Sequence, residues 1–240
     1  MPFEISLFLK MANEKSNLEF LESPEALADK ITSVQPFFEK NKNLILGIGG
    51  AVVGAVVLFL GYNWYTTSQD EEGQAALAPL VYQVESDSLD AALKGKPGKA
   101  SLLTVADDFG ASAAGNLASF YAGAALLKQG KYDQAIEKLN SFSSSDLLVQ
   151  ARVYSLIGDA YTEKGSTEEA ISAYKKACDY KPNQFFTPVY LLKLGIAQEK
   201  AKQYKDAALS YSTIIEKYPL SAEYLTAKKY KAQVEDLAGE

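Results

Sequence analysis

The pattern of hydrophobic and polar positions divides the chain near residue 65. Leu44 to Tyr65 contains no charged residue over twenty-two positions, whereas beyond it apolar residues recur among polar ones at helical spacing. About 20 apolar residues are needed to cross the roughly 30 Å hydrocarbon layer of a bilayer. We therefore predict an all-α chain with a single N-terminal transmembrane helix, followed by helices outside the membrane.

A buried soluble helix and a cleaved signal peptide both fit the apolar run less well than a membrane span does. A buried soluble helix would be weakened by the five glycines of the run, at about 1 kcal/mol each relative to alanine. A cleaved signal peptide has an apolar region of about 7–15 residues near the N-terminus and a small-residue cleavage site. The exit Gly61–Thr67 has no such site, so the run is interpreted as an uncleaved signal anchor.

The charges on the two sides of the span predict its direction. Lysines precede the span and acids follow it, with no further Lys or Arg until Lys94. Because the positive side stays in the cytoplasm, we expect a cytoplasmic N-terminus and an external C-terminal domain. The flanking charges are Lys30, Lys40 and Lys42 before the span and Asp70, Glu71 and Glu72 after it, and the expected interfacial aromatics are Phe37, Phe38, Tyr62, Trp64 and Tyr65.

Small residues recur along one stripe of the span. Gly50 and Gly54 form a G-x-x-x-G pattern, which lets a second membrane helix approach closely. Glycine is also simply common in membrane helices, so a specific helix partner is an open alternative. The candidate packing positions are Gly47, Gly50, Ala51, Gly54 and Ala55.

Three windows beyond residue 112 share one pattern of glycine, alanine and a large side chain. The glycines are 35 and 37 residues apart. This pattern resembles the tetratricopeptide repeat, in which each repeat is a pair of antiparallel helices, and it favours an α-solenoid of about three such pairs over a bundle of unrelated helices. The three sets are Gly123, Ala135 and Leu139; Gly158, Ala170 and Tyr174; and Gly195, Ala207 and Tyr211.

These patterns divide the chain into four parts. We expect a partly disordered cytoplasmic tail over 1–42, the anchor over 43–65, membrane-proximal helices over 66–112 and the repeats with a C-terminal capping helix over 113–240. Whether Met1 or Met11 is the true start stays open. Within these parts we expect a polar break at Thr66–Asp70, helices over Gly73–Leu93 with a kink at Pro79 and over Leu102–Phe109, and a last helix capped by Ser221 and ending near Leu237.

Composition argues against catalysis. The chain has no histidine and one cysteine, Cys178, which removes Ser-His-Asp chemistry, histidine metal sites and an internal disulfide. No nucleotide-binding loop or hydrolase motif is present. Beyond residue 65 the chain carries 19 basic and 23 acidic residues, which argues against a nucleic acid partner. We therefore expect no enzyme activity, no cofactor, no metal and no small-molecule substrate.

By resemblance to the tetratricopeptide family, the first helix of each pair lines a concave groove for an extended peptide or a partner's helix. The chaperone-tail clamp of that family uses asparagines and lysines, and Ser155 and Asp159 stand here where asparagines are expected, which argues against that mode of binding. The implied groove residues are Leu117, Phe120, Ala124, Leu127 and Lys128; Arg152, Ser155, Asp159, Thr162 and Glu163; and Val189, Leu192, Ile196, Glu199 and Lys200.

The order of tail, anchor and repeats is similar to that of the YfgM-like ancillary subunits of the bacterial Sec translocon. The local resemblance is carried by Gln35–Asn41, Tyr62–Tyr65 and Ala114–Tyr121, and the Tyr-rich loops look closer to Bacteroidetes relatives than to the enterobacterial type. The resemblance implies a single-pass protein of the bacterial inner membrane with a periplasmic domain, contacting the translocon, periplasmic chaperones or emerging client peptides. An assembly or regulatory factor for cell-envelope or division machinery is the alternative.

Overall fold

The computed structural model describes residues 40–95 and 97–239. The predicted tail, including Met11, Phe37 and Phe38, lies outside these residues up to position 39. The chain divides after Asn63 into two units, which are described separately. The helices of the described part are α1 Lys42–Glu85, α2 Leu89–Lys94, α3 Leu102–Asp108, α4 Ala113–Lys128, α5 Tyr132–Ser141, α6 Val149–Lys164, α7 Thr167–Asp179, α8 Thr187–Lys200, α9 Tyr204–Lys217 and α10 Tyr224–Ala238.

The unit that ends at Asn63 contains the first half of α1. This helix is long and apolar enough to cross a bilayer. The described side chains from Leu46 to Asn63 are all exposed, so the apolar surface has no protein cover among the described residues. A Cβ added at Gly47, Gly50 or Gly54 would meet nothing described within 4 Å. The small-residue stripe therefore has room for a partner helix, whose existence stays a prediction.

The second unit begins at Trp64, and here α1 corrects the prediction of a polar break at Thr66–Asp70. The helix continues through this segment and through Pro79 to Glu85. The polar residues support the helix instead of ending it, because Gln74 Nε2 donates to Asp70 Oδ2 at 2.6 Å, one turn away. Asp70 is also held by a second element, since its Oδ1 accepts from the backbone N–H of Ala114 at 2.7 Å.

The predicted helix over Gly73–Leu93 is wrong at its C-terminal end. Asp87 adopts a left-handed conformation with φ of 57°, which aspartate tolerates better than most residues because its short polar side chain bonds locally. The backbone N–H of Ser88 donates to the carbonyl of Gln83 at 2.8 Å, closing the helix end in the manner of a Schellman turn. The chain therefore turns after Glu85 before α2 begins.

One apolar cluster joins the membrane-proximal helices to the first repeat. Leu77 and Leu80 of α1, Leu102 of α3 and Ala118 of α4 are all buried in it. Ser101 begins α3 with a reciprocal capping box to Thr104. Residues 66–112 and the first helix pair therefore share one core.

The three predicted helix pairs are present as α4–α5, α6–α7 and α8–α9. Each pair turns within two or three residues, and one turn residue in each has a positive φ: Gly130, Gly165 and Lys202. Glycine accepts this conformation without strain, and Lys202 adopts it in the third turn although it carries a side chain.

The last helix covers the end of the repeats, as expected for a solenoid cap. Ala227 and Val234 of α10 are fully buried beside Tyr211. The predicted cap at Ser221 is wrong, because α10 begins at Tyr224, after the non-bonding cap residue Glu223. The hydroxyl of Ser221 has no hydrogen-bond partner in the described part of the chain.

Candidate partner-binding groove

The fifteen predicted groove residues differ widely in their accessibility. Ser155 is buried, with 3% of its surface exposed. The exposed members are Leu117, Lys128, Arg152, Glu163, Ile196 and Lys200, and the half-buried members are Phe120, Ala124, Leu127, Asp159, Thr162, Val189, Leu192 and Glu199.

An ion pair between consecutive repeats occupies the centre of this surface. Lys193 Nζ of α8 lies 2.8 Å and 2.7 Å from the two carboxylate oxygens of Asp159 on α6. The same ammonium donates to Ser155 Oγ at 3.2 Å. Lys193 therefore bonds to both Ser155 and Asp159, the two positions where the resemblance would place peptide-binding asparagines. The carboxylate of Asp159 is thus already paired within the protein.

The hydroxyl of Tyr174 completes this network from the second helix of the pair. It donates to Asp159 Oδ1 at 2.7 Å and lies 3.1 Å from Thr162 Oγ1. Burial of the ring raises the pKa of the Tyr174 hydroxyl, and the Asp159 carboxylate raises it further, while the hydrogen bond with Thr162 opposes the shift. This hydroxyl therefore stays protonated and acts as a donor.

The next repeat contains the same arrangement with a different acceptor. Tyr211 of α9 donates a short hydrogen bond to Glu199 Oε1, and Glu199 stands 37 residues after Thr162, the spacing of the repeat glycines. Burial of the ring, followed by the bond to Glu199, raises the pKa of Tyr211. Glu199 is thus also engaged within the chain.

The first repeat shows what happens without the tyrosine. Leu139 replaces it, and the first-helix positions that face the hydroxyl in the other repeats are Ala124 and Leu127. Both are half-buried, and Leu139 is fully buried with Phe142 and Val153. In each repeat, this part of the groove is therefore polar where the large residue of the second helix is tyrosine and apolar where it is leucine.

A small cavity opens beside the ion pair, between α6, α7 and α8. Its volume is about 90 Å³ and its walls are mostly apolar. Predicted groove residues Thr162, Ile196 and Lys200 line it. The other lining residues are Thr167, Tyr174, Lys193 and Ala197.

Phe120 does not point at this cavity. Its ring packs against that of Phe142, with centroids 5.6 Å apart, and against Tyr121 at 5.4 Å. Phe120 also packs against the cluster that contains Val153 and Ile157 of α6, so it contributes to the packing between the first and second repeats. Sequence reasoning placed it at the groove because its position on the first helix matches, but helical position alone does not distinguish a lining residue from a packing one.

Lys193 and Tyr174 are the central residues that sequence reasoning did not assign to the site. A signal for Lys193 existed, because Asp159 and Lys193 are 34 residues apart, about one repeat. Two other polar pairs about one repeat apart also join neighbouring repeats: Lys164 with Asp133, and Gln203 with Glu168. Lys138 pairs in the same way with Asp107 and joins the first repeat to α3.

Two features bear on the chemistry that the described residues could support. Among the described residues there is no group of His, Cys, Asp or Glu that could hold a metal ion. Cys178 is buried, and burial raises the pKa of its thiol to about 12, so the thiol is neutral and a poor nucleophile.

Comparison with known proteins supports the repeat assignment. Residues 91–196 match the family described as a tetratricopeptide repeat-like domain, and residues 190–221 match the family described as the tetratricopeptide repeat. Human Superkiller complex protein 3 is 23% identical over 160 residues, which is 67% of this chain and 9% of the human protein. The chain thus spans only a small part of the length of that curated relative. The repeat prediction made from the glycine and tyrosine spacing is confirmed.

Proposed function

We propose that this chain is a non-catalytic protein-interaction scaffold anchored in a membrane by α1, because residues 91–196 match the tetratricopeptide repeat-like domain and residues 190–221 match the tetratricopeptide repeat. Repeats of this kind present a helical surface to other proteins. In the finer form of the proposal, the anchor lies in a bacterial inner membrane, the repeats face the periplasm, and the protein is an accessory subunit of the Sec translocon that links it to periplasmic chaperones or emerging clients.

The continuity of α1 carries this proposal. Its apolar part has no protein cover among the described residues, and its C-terminal part contributes Leu77 and Leu80 to the core that holds the first repeat. Asp70 adds a hydrogen bond to the start of α4. A helix that serves as both anchor and core element suits a scaffold whose binding surface is held at the membrane.

The groove chemistry favours a polypeptide as the partner. Exposed Leu117 and Ile196 provide apolar contacts, while Arg152, Glu163 and Lys200 provide charges of both signs. Asp159 and Glu199 already bond to Lys193 and Tyr211 within the chain. The partner would therefore be bound by the exposed residues instead. Such a mixture suits an extended segment or an amphipathic helix.

Site-specific photo-cross-linking in intact cells tests the groove. A photoreactive residue at Leu117, Ile196 or Lys200 should capture a partner, because these positions are exposed and their replacement leaves the core intact. Leu209 is the matched control, being 67% exposed on the second helix of its pair. Equal capture from Leu209 and Ile196, or none from any groove position, would contradict a groove-specific partner.

The captured proteins separate the finer proposal from its alternative. Translocon subunits, periplasmic chaperones or nascent secreted chains would support the Sec assignment. Subunits of cell-wall synthesis, outer-membrane biogenesis or division machinery would favour an envelope assembly factor and leave the scaffold role standing.

Protease accessibility tests the direction of the anchor. Protease added to intact spheroplasts should digest the repeat domain if it faces the periplasm. The positive-inside distribution of charge, with Lys40 and Lys42 before the span, supports this direction. Digestion only after lysis would reverse the direction and remove the export-side role.

A further inference from the structure

The loops that join consecutive helix pairs all carry exposed large apolar side chains. We call residues 142–148, 180–186 and 218–223 the loop edge. Leu147 and Leu148 are 41% and 43% exposed, Phe185 is 82% exposed, and Leu220 is 99% exposed. A turn can form without a large apolar side chain exposed to water. Because such side chains recur in every one of these loops, we infer that the loops contact the same apolar partner or surface.

Hydrogen bonds show that neighbouring loops lie together at one end of the repeats. The Asn116 side chain at the start of α4 bonds to the backbone of Ser143, accepting at 2.9 Å and donating at 2.8 Å. In the next loop, Tyr180 donates to the carbonyl of Ser144 at 3.0 Å and Lys181 to that of Ser145 at 2.6 Å.

The third loop lies at the same end, because the helices of each pair are antiparallel. It connects the end of α9 to the start of α10. The other end of α10 lies across the protein. Leu237 lines a shallow cavity with Lys202, in the turn between α8 and α9, and with Tyr204, the first residue of α9. Leu220 and Leu237 are therefore exposed leucines at opposite ends of the repeats.

The loop edge lies at the end of the repeat domain where α1 enters it. Asp70 meets the start of α4 through Ala114, and Lys128 at the end of α4 lies 3.5 Å from Asp87 just beyond α1. The two helices are therefore parallel, and α4 begins near the level of Asp70. Tyr65 is five residues earlier, which is about 8 Å along a helix.

We propose that the loop edge docks on the lipid bilayer, with Phe185 and Leu220 inserted at the interface. The proposal rests on the membrane anchoring stated above. Trp64 and Tyr65 are exposed on α1, and such aromatics mark the membrane–water boundary. Because the 142–148 loop bonds to Asn116 at the start of α4, the edge begins about 8 Å beyond these aromatics. At that distance, large apolar side chains on the loops can enter the interface, where such groups bury.

The chemistry of the edge favours the apolar part of the interface over anionic headgroups. The three loops contain one basic residue, Lys181, and two acidic residues, Asp146 and Glu223. Lys181 is already engaged by Ser145. Docking should therefore depend on Phe185 and Leu220 and be insensitive to the content of anionic lipid.

Spin-label depth measurement on the full chain tests this contact. Single labels are placed by Phe185→Cys, Leu220→Cys, Leu58→Cys and Leu237→Cys, and the chain is reconstituted at one copy per nanodisc of phosphatidylcholine. The native Cys178 is buried with a raised thiol pKa, so it stays unlabelled at neutral pH. Each labelled chain should keep the thermal midpoint of the unlabelled protein.

We expect the labels at the two ends of the repeats to differ in which relaxation agent reaches them more readily. Labels at 185 and 220 should be more accessible to oxygen than to a water-soluble nickel complex, and the label at 237 should show the opposite. The same ranking should hold when a third of the lipid is replaced by phosphatidylglycerol. Loss of the ranking at 185 and 220 in phosphatidylcholine alone would overturn apolar docking.

The label at 58 separates failure of docking from failure of anchoring. If it lies deep in lipid while labels at 185 and 220 are in water, the anchor stands and the docking proposal is overturned. If the label at 58 is also in water, the membrane anchoring and the docking of the loop edge are both overturned. Shielding at 185 that requires several copies per vesicle, with spin–spin broadening, would assign the edge to a second copy and likewise overturn lipid docking.

Discussion

The ring of Tyr174 fills the space that a side chain at position 158 would need. A Cβ built on Gly158 would lie 2.5 Å from Cε1 of Tyr174, well inside van der Waals contact. The other pairs repeat this relationship, with the ring of Tyr211 against Gly195 and the side chain of Leu139 against Gly123. The glycine is therefore required by the large residue of the second helix, and it sets how closely the two helices approach.

Replacing this glycine should destabilise the repeats. For Gly158→Ala we expect a loss of about 1–3 kcal/mol, because the methyl group overpacks the crossing. In a domain of this size each kcal/mol lowers the melting temperature by about 2–4 °C, which circular dichroism can follow. Gly61→Ala is the control, since a Cβ there meets nothing described within 4 Å. Equal midpoints for the two variants would show that Tyr174 can move aside at no cost.

The pairing of Asp159 with Lys193 should couple the second and third repeats. Lys193→Met leaves a half-buried carboxylate with Tyr174 as its remaining donor, so we expect a loss of unfolding free energy of about 1 kcal/mol. A double-mutant cycle with Asp159→Asn, followed by urea unfolding, measures the coupling. Lys200→Met is the control, because Lys200 is exposed on the same helix. Additive effects of the two substitutions would mean that the pair contributes nothing.

Alkaline pH should unfold the protein through its buried tyrosines. Burial raises the pKa of Tyr174 and Tyr211 above the ordinary value of 10.0, so above this value the unfolded chain releases protons that the folded chain still holds. The resulting stability is fully present below pH 10 and is lost as the pH rises toward the folded pKa values. Cys178 adds the same dependence between its ordinary pKa of 9.0 and about 12.

Phenolate absorbance during a pH titration checks this expectation. Of the 15 tyrosines, Tyr174 and Tyr211 should ionise only together with the loss of helical circular dichroism. In the double variant Tyr174→Phe and Tyr211→Phe, stability should fall less steeply above pH 10. An unchanged slope would assign the alkaline sensitivity to other groups.

The single tryptophan of the chain should report the membrane boundary. Trp64 is 74% exposed, so without lipid its fluorescence should resemble that of a hydrated indole. Binding to vesicles should shift the emission to shorter wavelength, because interfacial tryptophans lie at the headgroup level. Lipids brominated near the headgroup should quench it more than lipids brominated at the chain end. Stronger quenching by lipids brominated at the chain end would show that Trp64 lies inside the hydrocarbon layer, so that the membrane boundary comes later in the sequence than Trp64.

Local rules predicted most of the elements, because each repeat builds its helices from contacts close in sequence. The turns at Gly130 and Gly165 follow from residues that accept positive φ. The break expected at Thr66–Asp70 did not occur, since Asp70 accepts from Gln74 along α1 and from the backbone N–H of Ala114 at the start of α4. The second bond joins residues far apart in the sequence, so no local rule anticipates it. Conversely, the turn at Asp87 interrupts a stretch whose sequence suits a helix.

The groove shows the same division. Residues from the first helices could be placed on one side by their position in the repeat, yet Ser155 is buried and Phe120 packs against Phe142. The involvement of Lys193 depends on where α8 lies against α6, since Lys193 and Asp159 are 34 residues apart along the chain. The spacing of Asp159 and Lys193 indicates a contact only once the repeat length is known, because residues one repeat apart lie on neighbouring repeats.

The sequence by itself determined that this chain has an apolar segment long enough for a bilayer and a set of helix pairs, because hydrophobic length and repeat period are properties of residue order. Only the tertiary structure decided that α1 continues into the core of the first repeat, that Asp159 and Glu199 are satisfied internally, and that the apolar loops share one end with Asp70. These features depend on side chains far apart in the chain meeting at specific distances, and packing, not local propensity, sets those distances.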